Sequence, residues 1–80
     1  MSFYAYVIQS KKHGRFYIGS CEDMTVRLER HNDGMTRSTK NGIPWIVKYT
    51  EIFETRSEAM RREKQIKSYK GGEAFKRLMK

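Results

Sequence analysis

The sequence predicts an α+β fold, a small three-stranded antiparallel sheet flanked by helices, with its elements in the order β-β-α-β-α-α. Three stretches rich in β-branched and aromatic residues, at positions 3–9, 15–20 and 45–53, are typical of strands. Apolar residues at helical spacing follow the second and third stretches. Because 80 residues suffice for only one compact core, we expect a single domain spanning residues 1–80.

The first two strands are predicted to form a hairpin around a turn at residues 11–14. Tyr6 lies in one of these strands and Tyr17 in the other. Because side chains alternate between the two faces of a sheet, a matched register would place both phenols on one face. Aromatic residues also favour strands and pack cores, and this is the simpler explanation for either tyrosine taken alone.

A helix is predicted over Met24–Asn32, where apolar residues recur at helical spacing. Asp23 is suited to accept hydrogen bonds from the first free amides of that helix, and Gly34 is a favoured residue after its end. Residues 35–44 are polar, rich in turn formers and without a period, which predicts an exposed loop. A loop of this length in so small a domain favours a role in binding.

The predicted third strand, Trp45–Phe53, is followed by a second helix that continues to about Tyr69. Residues 55–58 have the spacing of a capping box, a pattern found where helices begin. Two glycines end this helix, and a short last helix is predicted at residues 73–79. Helices should therefore cover at least one face of the sheet.

The charge of the chain favours a polyanionic partner. Seventeen Lys and Arg oppose nine Asp and Glu, which leaves a net charge of +8, and residues 56–80 contribute nine basic and three acidic side chains to that balance. Binding to phosphates releases counterions, so this surplus favours nucleic acid. A merely solubilising basic surface is the alternative.

The remaining composition excludes several classes. The chain has one cysteine, Cys21, so it forms no internal disulfide, and a lone cysteine with two histidines does not make a structural zinc site. No secretory leader and no apolar run long enough to cross a bilayer is visible. We therefore expect a cytoplasmic protein in a reducing setting, without a membrane partner, that is a monomer or a weak homodimer.

Two groups of side chains on the predicted helices are candidates for chemistry. Arg27 and His31 are four residues apart and share one helix face, which on its own also fits the basic edge of an amphipathic helix. Glu63 lies on an apolar stripe of the second helix, where a carboxylate needs a partner. That partner is either Lys67, at i+4, or a divalent cation held by oxygen ligands.

Together these residues resemble the GIY-YIG nuclease superfamily, and most of all its small stand-alone members related to the N-terminal nuclease domain of the C component of excinuclease ABC. The resemblance covers residues 3 to about 70. It rests on Tyr4-Ala5-Tyr6, on Tyr17-Ile18-Gly19, on Arg27 and His31 in one helix, and on Glu63 within residues 60–67. The first tripeptide keeps only the final tyrosine of the family pattern.

The resemblance implies metal-dependent hydrolysis of phosphodiester bonds in nucleic acid, with DNA as the expected partner and DNA repair or recombination as the setting. Glu63 would be the catalytic ligand of a divalent metal ion, Mg or Mn. Tyr6 is the implied general base, with its pKa lowered by nearby cations. Tyr17 would orient water or phosphate, and the two tyrosines could exchange roles.

The other implied roles concern the phosphate and the nucleic-acid backbone. Arg27 would bracket the scissile phosphate with its planar guanidinium group. His31 would take a proton or hold the tyrosine hydroxyl. Gly19 would let the substrate backbone approach the end of its strand because it has no side chain. The expected nucleic-acid-binding residues are Arg27, Lys40, Arg62 and Lys67.

A second hypothesis is a basic nucleic-acid-binding module with a degenerate nuclease site and little catalysis. Several nucleases of the superfamily carry an asparagine after the metal-binding glutamate, and residues 67–80 contain none. A third is a protein that does not bind nucleic acid and whose charge is only solubilising. Salt dependence of binding separates the third hypothesis from the other two, and metal dependence separates the first two.

Overall fold

The computed structural model describes residues 2–80; Met1, part of the predicted 1–80 domain, lies outside the described residues. Its elements are β1 (Phe3–Ser10), β2 (Phe16–Cys21), α1 (Met24–Asn32), a 3-10 turn (Lys40–Gly42), β3 (Trp45–Phe53), α2 (Arg56–Ser68) and α3 (Glu73–Leu78). The predicted α+β class and the order β-β-α-β-α-α are confirmed. None of the described helices has the length and apolar character needed to cross a membrane.

The sheet has the strand order β2-β1-β3, with both pairs antiparallel. The central strand β1 is the most buried, and its residues Ala5, Tyr6, Val7 and Ile8 are all inaccessible to solvent or nearly so. A strand with partners on both sides and helices on both faces has no exposed surface, which explains its nearly continuous apolar run.

Helices cover both faces of the sheet, so the core consists of two clusters. On one face Tyr6, Ile8, Cys21 and Trp45 pack against residues of α1 that include Leu28. On the other face the cluster is formed by Val7, Ile66 of α2 and Phe75 of α3. The alternation of side chains along β1 sends Tyr6 to the first cluster and Val7 to the second.

The predicted helix starts are observed. The Asp23 carboxylate accepts a hydrogen bond of 3.0 Å from the Val26 amide at the start of α1. At the start of α2 the Thr55 hydroxyl oxygen accepts from the Glu58 amide at 3.2 Å and donates to the Glu58 carboxylate at 2.9 Å. These bonds satisfy amide groups that have no partner inside the helix.

The segment between α1 and β3 is exposed at most of its residues, as predicted, but two buried residues anchor it to the core. Thr39 and Gly42 are buried, and Trp45 is only 5% exposed. The Trp45 indole donates a hydrogen bond of 2.7 Å to the Thr39 carbonyl, and the Asn32 side-chain amide bonds both main-chain polar groups of Trp45, at 2.6 and 3.1 Å. Because these contacts join residues distant in sequence, the polar composition of the segment does not reveal them.

Candidate active site

The two tyrosines lie on the same face of the hairpin. Tyr6 is paired with Gly19 and Tyr17 with Ile8, so the phenols sit diagonally across β1 and β2. Their ring centroids are 6.5 Å apart, and the Tyr17 ring lies 5.1 Å from that of His31 on α1. Tyr6 is 1% exposed, whereas Tyr17 is half-buried, so Tyr17 is the phenol that faces solvent.

Gly19 gives room to the Tyr6 ring. A Cβ atom at this position would lie 2.5 Å from the Tyr6 hydroxyl oxygen and 2.7 Å from Cζ, well inside van der Waals contact. The space beside Gly19 is therefore filled by the phenol and is not left open for a substrate backbone. The glycine belongs to the site because it lets Tyr6 lie flat across β2 and reach His31.

A chain of buried polar groups runs inward from the Tyr6 phenol. Its hydroxyl is 2.9 Å from Nε2 of His31, and Nδ1 of His31 is 2.7 Å from the Thr39 hydroxyl oxygen. Thr39 in turn donates to the Thr36 carbonyl at 3.3 Å. His31 is 1% exposed and Thr39 is fully buried, so none of these groups can exchange its partner for bulk water.

Burial and charge act in opposite directions on the Tyr6 phenol. Burial raises the pKa of Tyr6 well above its usual value of 10.0, and Tyr17 raises it further, while the Arg27 guanidinium lowers it by less. The expectation that nearby cations lower the pKa of this phenol is therefore wrong, because burial outweighs the charge of Arg27. Burial, aided by Arg27, lowers the pKa of His31 below 6.5. At neutral pH the pair therefore rests as a neutral phenol and a neutral imidazole.

Arg27 lines an open cleft of about 220 Å³ that shares Cys21 with the core cluster of Tyr6. Arg30 and Arg56 also line the cleft, and Arg56 forms an ion pair with Glu22 at 3.2 Å. Burial raises the pKa of the Cys21 thiol in the cleft wall, so that thiol is protonated at neutral pH and is a poor nucleophile. The cleft thus presents three guanidinium groups together with the carboxylates of Glu22 and Asp23, and neither Tyr6 nor His31 is among its lining residues.

Glu63 lies on α2, and its side chain is 20% exposed. Its carboxylate accepts a hydrogen bond of 2.6 Å from the Lys67 ammonium group, which was one of the two partners expected from the sequence. The negative charge of Glu63 makes the smallest of the contributions that raise the pKa of Tyr6, so the carboxylate lies within electrostatic range of the phenol.

The residues present fit a metal of the magnesium type. Within residues 2–80, no three His, Cys, Asp or Glu side chains come together as a preformed metal cluster. Mg²⁺ commonly binds through one or two carboxylates and completes its shell with water and substrate phosphate oxygens. The single, partly exposed carboxylate of Glu63 meets that requirement, provided that Lys67 shares or releases it.

The remaining basic residues predicted to bind nucleic acid have different surroundings. Lys40 is exposed at the 3-10 turn, next to Thr39. Arg62 is held by Glu51 at 3.1 Å and also donates to Gln65 and Tyr69. Its guanidinium group therefore stabilises the contact between β3 and α2, and these partners include none of the predicted catalytic side chains.

Of the predicted site residues, the structure joins Tyr6, Tyr17 and His31 by direct contact and places Arg27 within electrostatic range of Tyr6 and His31. The sequence did not indicate Thr39. A threonine in a polar segment gives no local signal, because its contact with His31 exists only after the segment folds back over α1.

This sheet, with a Tyr–His pair on its hairpin face and Arg27 in electrostatic range of that pair, has the architecture of a GIY-YIG nuclease domain. The chain belongs to that family: the GIY-YIG catalytic domain matches residues 2–75. The resemblance inferred from the tyrosines, Arg27, His31 and Glu63 is thereby confirmed at the level of the family.

Similar proteins support the same assignment. UPF0213 proteins from Staphylococcus aureus strains Mu50, N315 and MW2 are each 38% identical to this chain over 69 residues, which is 85% of this chain and 83% of the relative. The solution NMR structure of the UPF0213 protein BH0048 from Bacillus halodurans is similar with a TM-score of 0.51 and 30% identity, covering 85% of this chain and 72% of that one. The names of these proteins do not describe an activity.

Proposed function

We propose that this protein is a metal-dependent endonuclease that hydrolyses phosphodiester bonds in nucleic acid, with DNA as its substrate. The observation that carries the proposal is the buried Tyr6–His31 hydrogen bond of 2.9 Å, with Arg27 in electrostatic range of both groups, in a chain of the GIY-YIG family. A tyrosine that only packs in the core needs neither a histidine acceptor nor a nearby guanidinium group, and Tyr6 has both. Phosphodiester hydrolysis requires both a proton acceptor and positive charge at the phosphate.

In this proposal Tyr6 is the general base and His31 receives its proton. Because burial raises the pKa of the phenol, Tyr6 cannot be a base by simple ionisation at neutral pH. Transfer of the hydroxyl proton to Nε2 of His31, 2.9 Å away, converts two neutral groups into an adjacent phenolate and imidazolium. In this proposal the attacking water enters beside the Tyr6 hydroxyl together with the bound substrate, and the phenolate then removes its proton.

Arg27 and Tyr17 act on the substrate side. The Arg27 guanidinium binds two oxygens of the scissile phosphate and stabilises both the phosphate and the developing phenolate. Tyr17 is half-buried and lies beside His31, so its hydroxyl orients the attacking water or a phosphate oxygen. Tyr6 is favoured as the base over Tyr17 because the hydrogen bond to the histidine belongs to Tyr6.

Glu63 is the proposed metal ligand. A bound Mg²⁺ or Mn²⁺ supplies Lewis-acid stabilisation of the leaving oxygen. Lys67, now 2.6 Å from the carboxylate, would turn toward the nucleic-acid backbone when Glu63 takes up its ligand role. Lys40 and Arg27 extend the proposed contact with the backbone. A cytoplasmic role in DNA repair or recombination fits this chemistry.

The test uses the purified full chain on nicked, branched and plain duplex DNA, and on RNA, with Mg²⁺ or Mn²⁺ and with EDTA. We expect cleavage that requires the metal, and we expect Tyr6→Phe and Glu63→Gln each to reduce the rate by about 100-fold or more. Tyr17→Phe should retain more activity than Tyr6→Phe. Matched controls are Tyr69→Phe and Glu54→Gln, which lie outside the proposed site.

The outcomes separate the competing hypotheses. Cleavage that survives in both Tyr6→Phe and Glu63→Gln would refute the proposed site. Salt-sensitive binding without metal-dependent cleavage would support the second hypothesis, a nucleic-acid-binding module. The Glu63–Lys67 contact and the lack of asparagine in residues 67–80 are the observations that favour this hypothesis. Absence of binding at low salt would leave the net charge of +8 with a solubilising role only.

A further inference from the structure

Thr39 lies directly behind the Tyr6–His31 pair. Its side chain is fully buried, and its hydroxyl oxygen is 2.7 Å from Nδ1 of His31. We propose that Thr39 is a positioning residue, which holds His31 in the tautomer with the proton on Nδ1 and so leaves Nε2 free to accept the proton of Tyr6. This inference rests on the proposed function and adds to it a residue from the segment between α1 and β3.

The direction of the hydrogen bonds follows from counting protons. The Thr39 hydroxyl has one proton and donates it to the Thr36 carbonyl at 3.3 Å, so toward His31 it can only accept. Nδ1 of His31 must then carry the proton and donate it to Thr39. A neutral imidazole has only one N–H group, so Nε2 is an acceptor for the Tyr6 hydroxyl.

The reverse arrangement leaves a buried proton without an acceptor. If Thr39 donated to Nδ1, Nε2 would carry the proton and donate to the Tyr6 oxygen. The Tyr6 hydroxyl proton would then need another acceptor, and His31 is the only hydrogen-bond partner of that hydroxyl within residues 2–80. At 1% exposure it cannot turn to bulk water, and an unsatisfied buried donor carries a penalty of about 1–3 kcal/mol.

The main chain keeps the Thr39 hydroxyl in place. The Thr39 carbonyl accepts hydrogen bonds from the Trp45 indole at 2.7 Å and from the Gly42 amide at 3.1 Å. Its amide donates to Thr36 at 3.1 Å. With both main-chain polar groups bonded, the residue cannot rotate away from His31 without breaking several buried hydrogen bonds.

The arrangement suits proton transfer because Thr39 accepts from Nδ1 both before and after the step. When the proton moves from the Tyr6 oxygen to Nε2, the imidazolium donates from Nε2 to the phenolate and from Nδ1 to Thr39. No hydroxyl or ring has to reorient during the transfer, and a preorganised acceptor lowers the barrier for that reason. Burial and Arg27 lower the pKa of His31, which keeps the ring neutral at rest.

The test begins with the tautomer, which is measured without substrate or metal. Long-range ¹H–¹⁵N NMR spectra of labelled protein at neutral pH distinguish the protonated from the unprotonated ring nitrogen of His31. We expect Nδ1 to be protonated in the wild type and in Thr39→Ser. In Thr39→Val the acceptor is lost while the shape is nearly kept, so either tautomer leaves one buried donor unsatisfied, and we expect the share of rings protonated on Nε2 to rise above that in the wild type and in Thr39→Ser.

Cleavage assays give the second measurement. Thr39→Val should lower kcat by about 10- to 100-fold with little change in KM, as is typical when a partner that orients a functional histidine is removed. Thr39→Ser should recover most of the lost rate, because it restores the hydroxyl. Thr50→Val, which removes an exposed hydroxyl on β3, is the matched control for the substitution itself.

Three results would overturn the inference: a wild-type ring protonated on Nε2, a Thr39→Val variant that keeps both the tautomer and the rate, or a Thr39→Ser variant that stays as slow as Thr39→Val. If Thr39→Val does not fold, the spectra of the wild type and of Thr39→Ser still show which ring nitrogen of His31 is protonated. If the wild type does not cleave but has the Nδ1 tautomer, the proposed function fails while the hydrogen-bond assignment stands.

Discussion

Gly19→Ala is expected to destabilise the protein, although alanine normally stabilises a strand relative to glycine by about 0.5–1 kcal/mol. The added Cβ would lie 2.5 Å from the Tyr6 oxygen and 2.7 Å from Cζ, where ordinary contacts begin at 3.4 Å. The ring must therefore retreat by about 0.9 Å, the difference between 3.4 and 2.5 Å. A shift of that size can take the 2.9 Å bond to His31 out of hydrogen-bonding range.

The magnitude follows from these two effects. Overpacking of a buried site costs about 1–3 kcal/mol. Loss of the buried Tyr6–His31 hydrogen bond costs about 1–3 kcal/mol more. After the roughly 0.5–1 kcal/mol that alanine normally gains over glycine is subtracted, we expect the free energy of unfolding to fall by about 1–5.5 kcal/mol, a large share of the stability of a small domain. If the variant folds, its cleavage rate should fall as well, because Tyr6 is displaced from His31.

Urea denaturation followed by circular dichroism measures this change, with Ser20→Ala as a control on the opposite face of β2. A double-mutant cycle isolates the cause. Tyr6→Leu lacks Oη, Cζ and Cε2, the three atoms nearest to the added Cβ, so in that background Gly19→Ala should cost much less. An equal cost in both backgrounds, or a gain in stability in the wild-type background, would refute the steric argument.

Two further predictions concern the same face of the protein. Burial and Arg27 depress the pKa of His31 in the folded state, so below about pH 6.5 the unfolded state binds more protons than the folded state. The contribution of His31 to stability is therefore complete above that pH and is lost as the pH falls below it, by at most about 1.4 kcal/mol per pH unit. Urea titrations between about pH 7.5 and 5.5 should show this decline, and it should shrink in His31→Gln; an unchanged decline would contradict the assignment. Asp23→Ala should lower stability by about 1 kcal/mol, because it removes the acceptor of the 3.0 Å hydrogen bond from the Val26 amide. Asp23→Asn keeps an acceptor and should lose less. Equal losses of the two variants in urea denaturation would argue against the cap.

Much of the fold was predictable from local patterns. The strands, the Asp23 cap and the capping box at residues 55–58 all appear where the sequence predicts them. Each depends on neighbours within a few positions, so composition and spacing carry the information. The segment 35–44 was predicted less well, since its buried residues owe their positions to contacts with α1 and Trp45.

Most residues of the candidate site were also identified from the sequence. Tyr6, Tyr17, Arg27 and His31 were identified together because the family pattern spaces them along the chain, and the family is confirmed. The functional roles of these residues stay predictions. The nucleic-acid-binding role of Arg62 also stays a prediction, and the charge pattern does not reveal that Glu51 and Tyr69 hold its guanidinium group.

Local spacing along the chain was enough to predict the α+β class, the element order, the family and most candidate site residues. The folded arrangement was needed to explain why position 19 is a glycine, which partner Glu63 has at rest, and how Thr39 comes to lie behind His31. Each of those facts depends on atoms brought together from separate elements. The burial of Tyr6 and His31, which excludes bulk water from their hydrogen bond, exists only once α1 and the segment after it pack over the sheet.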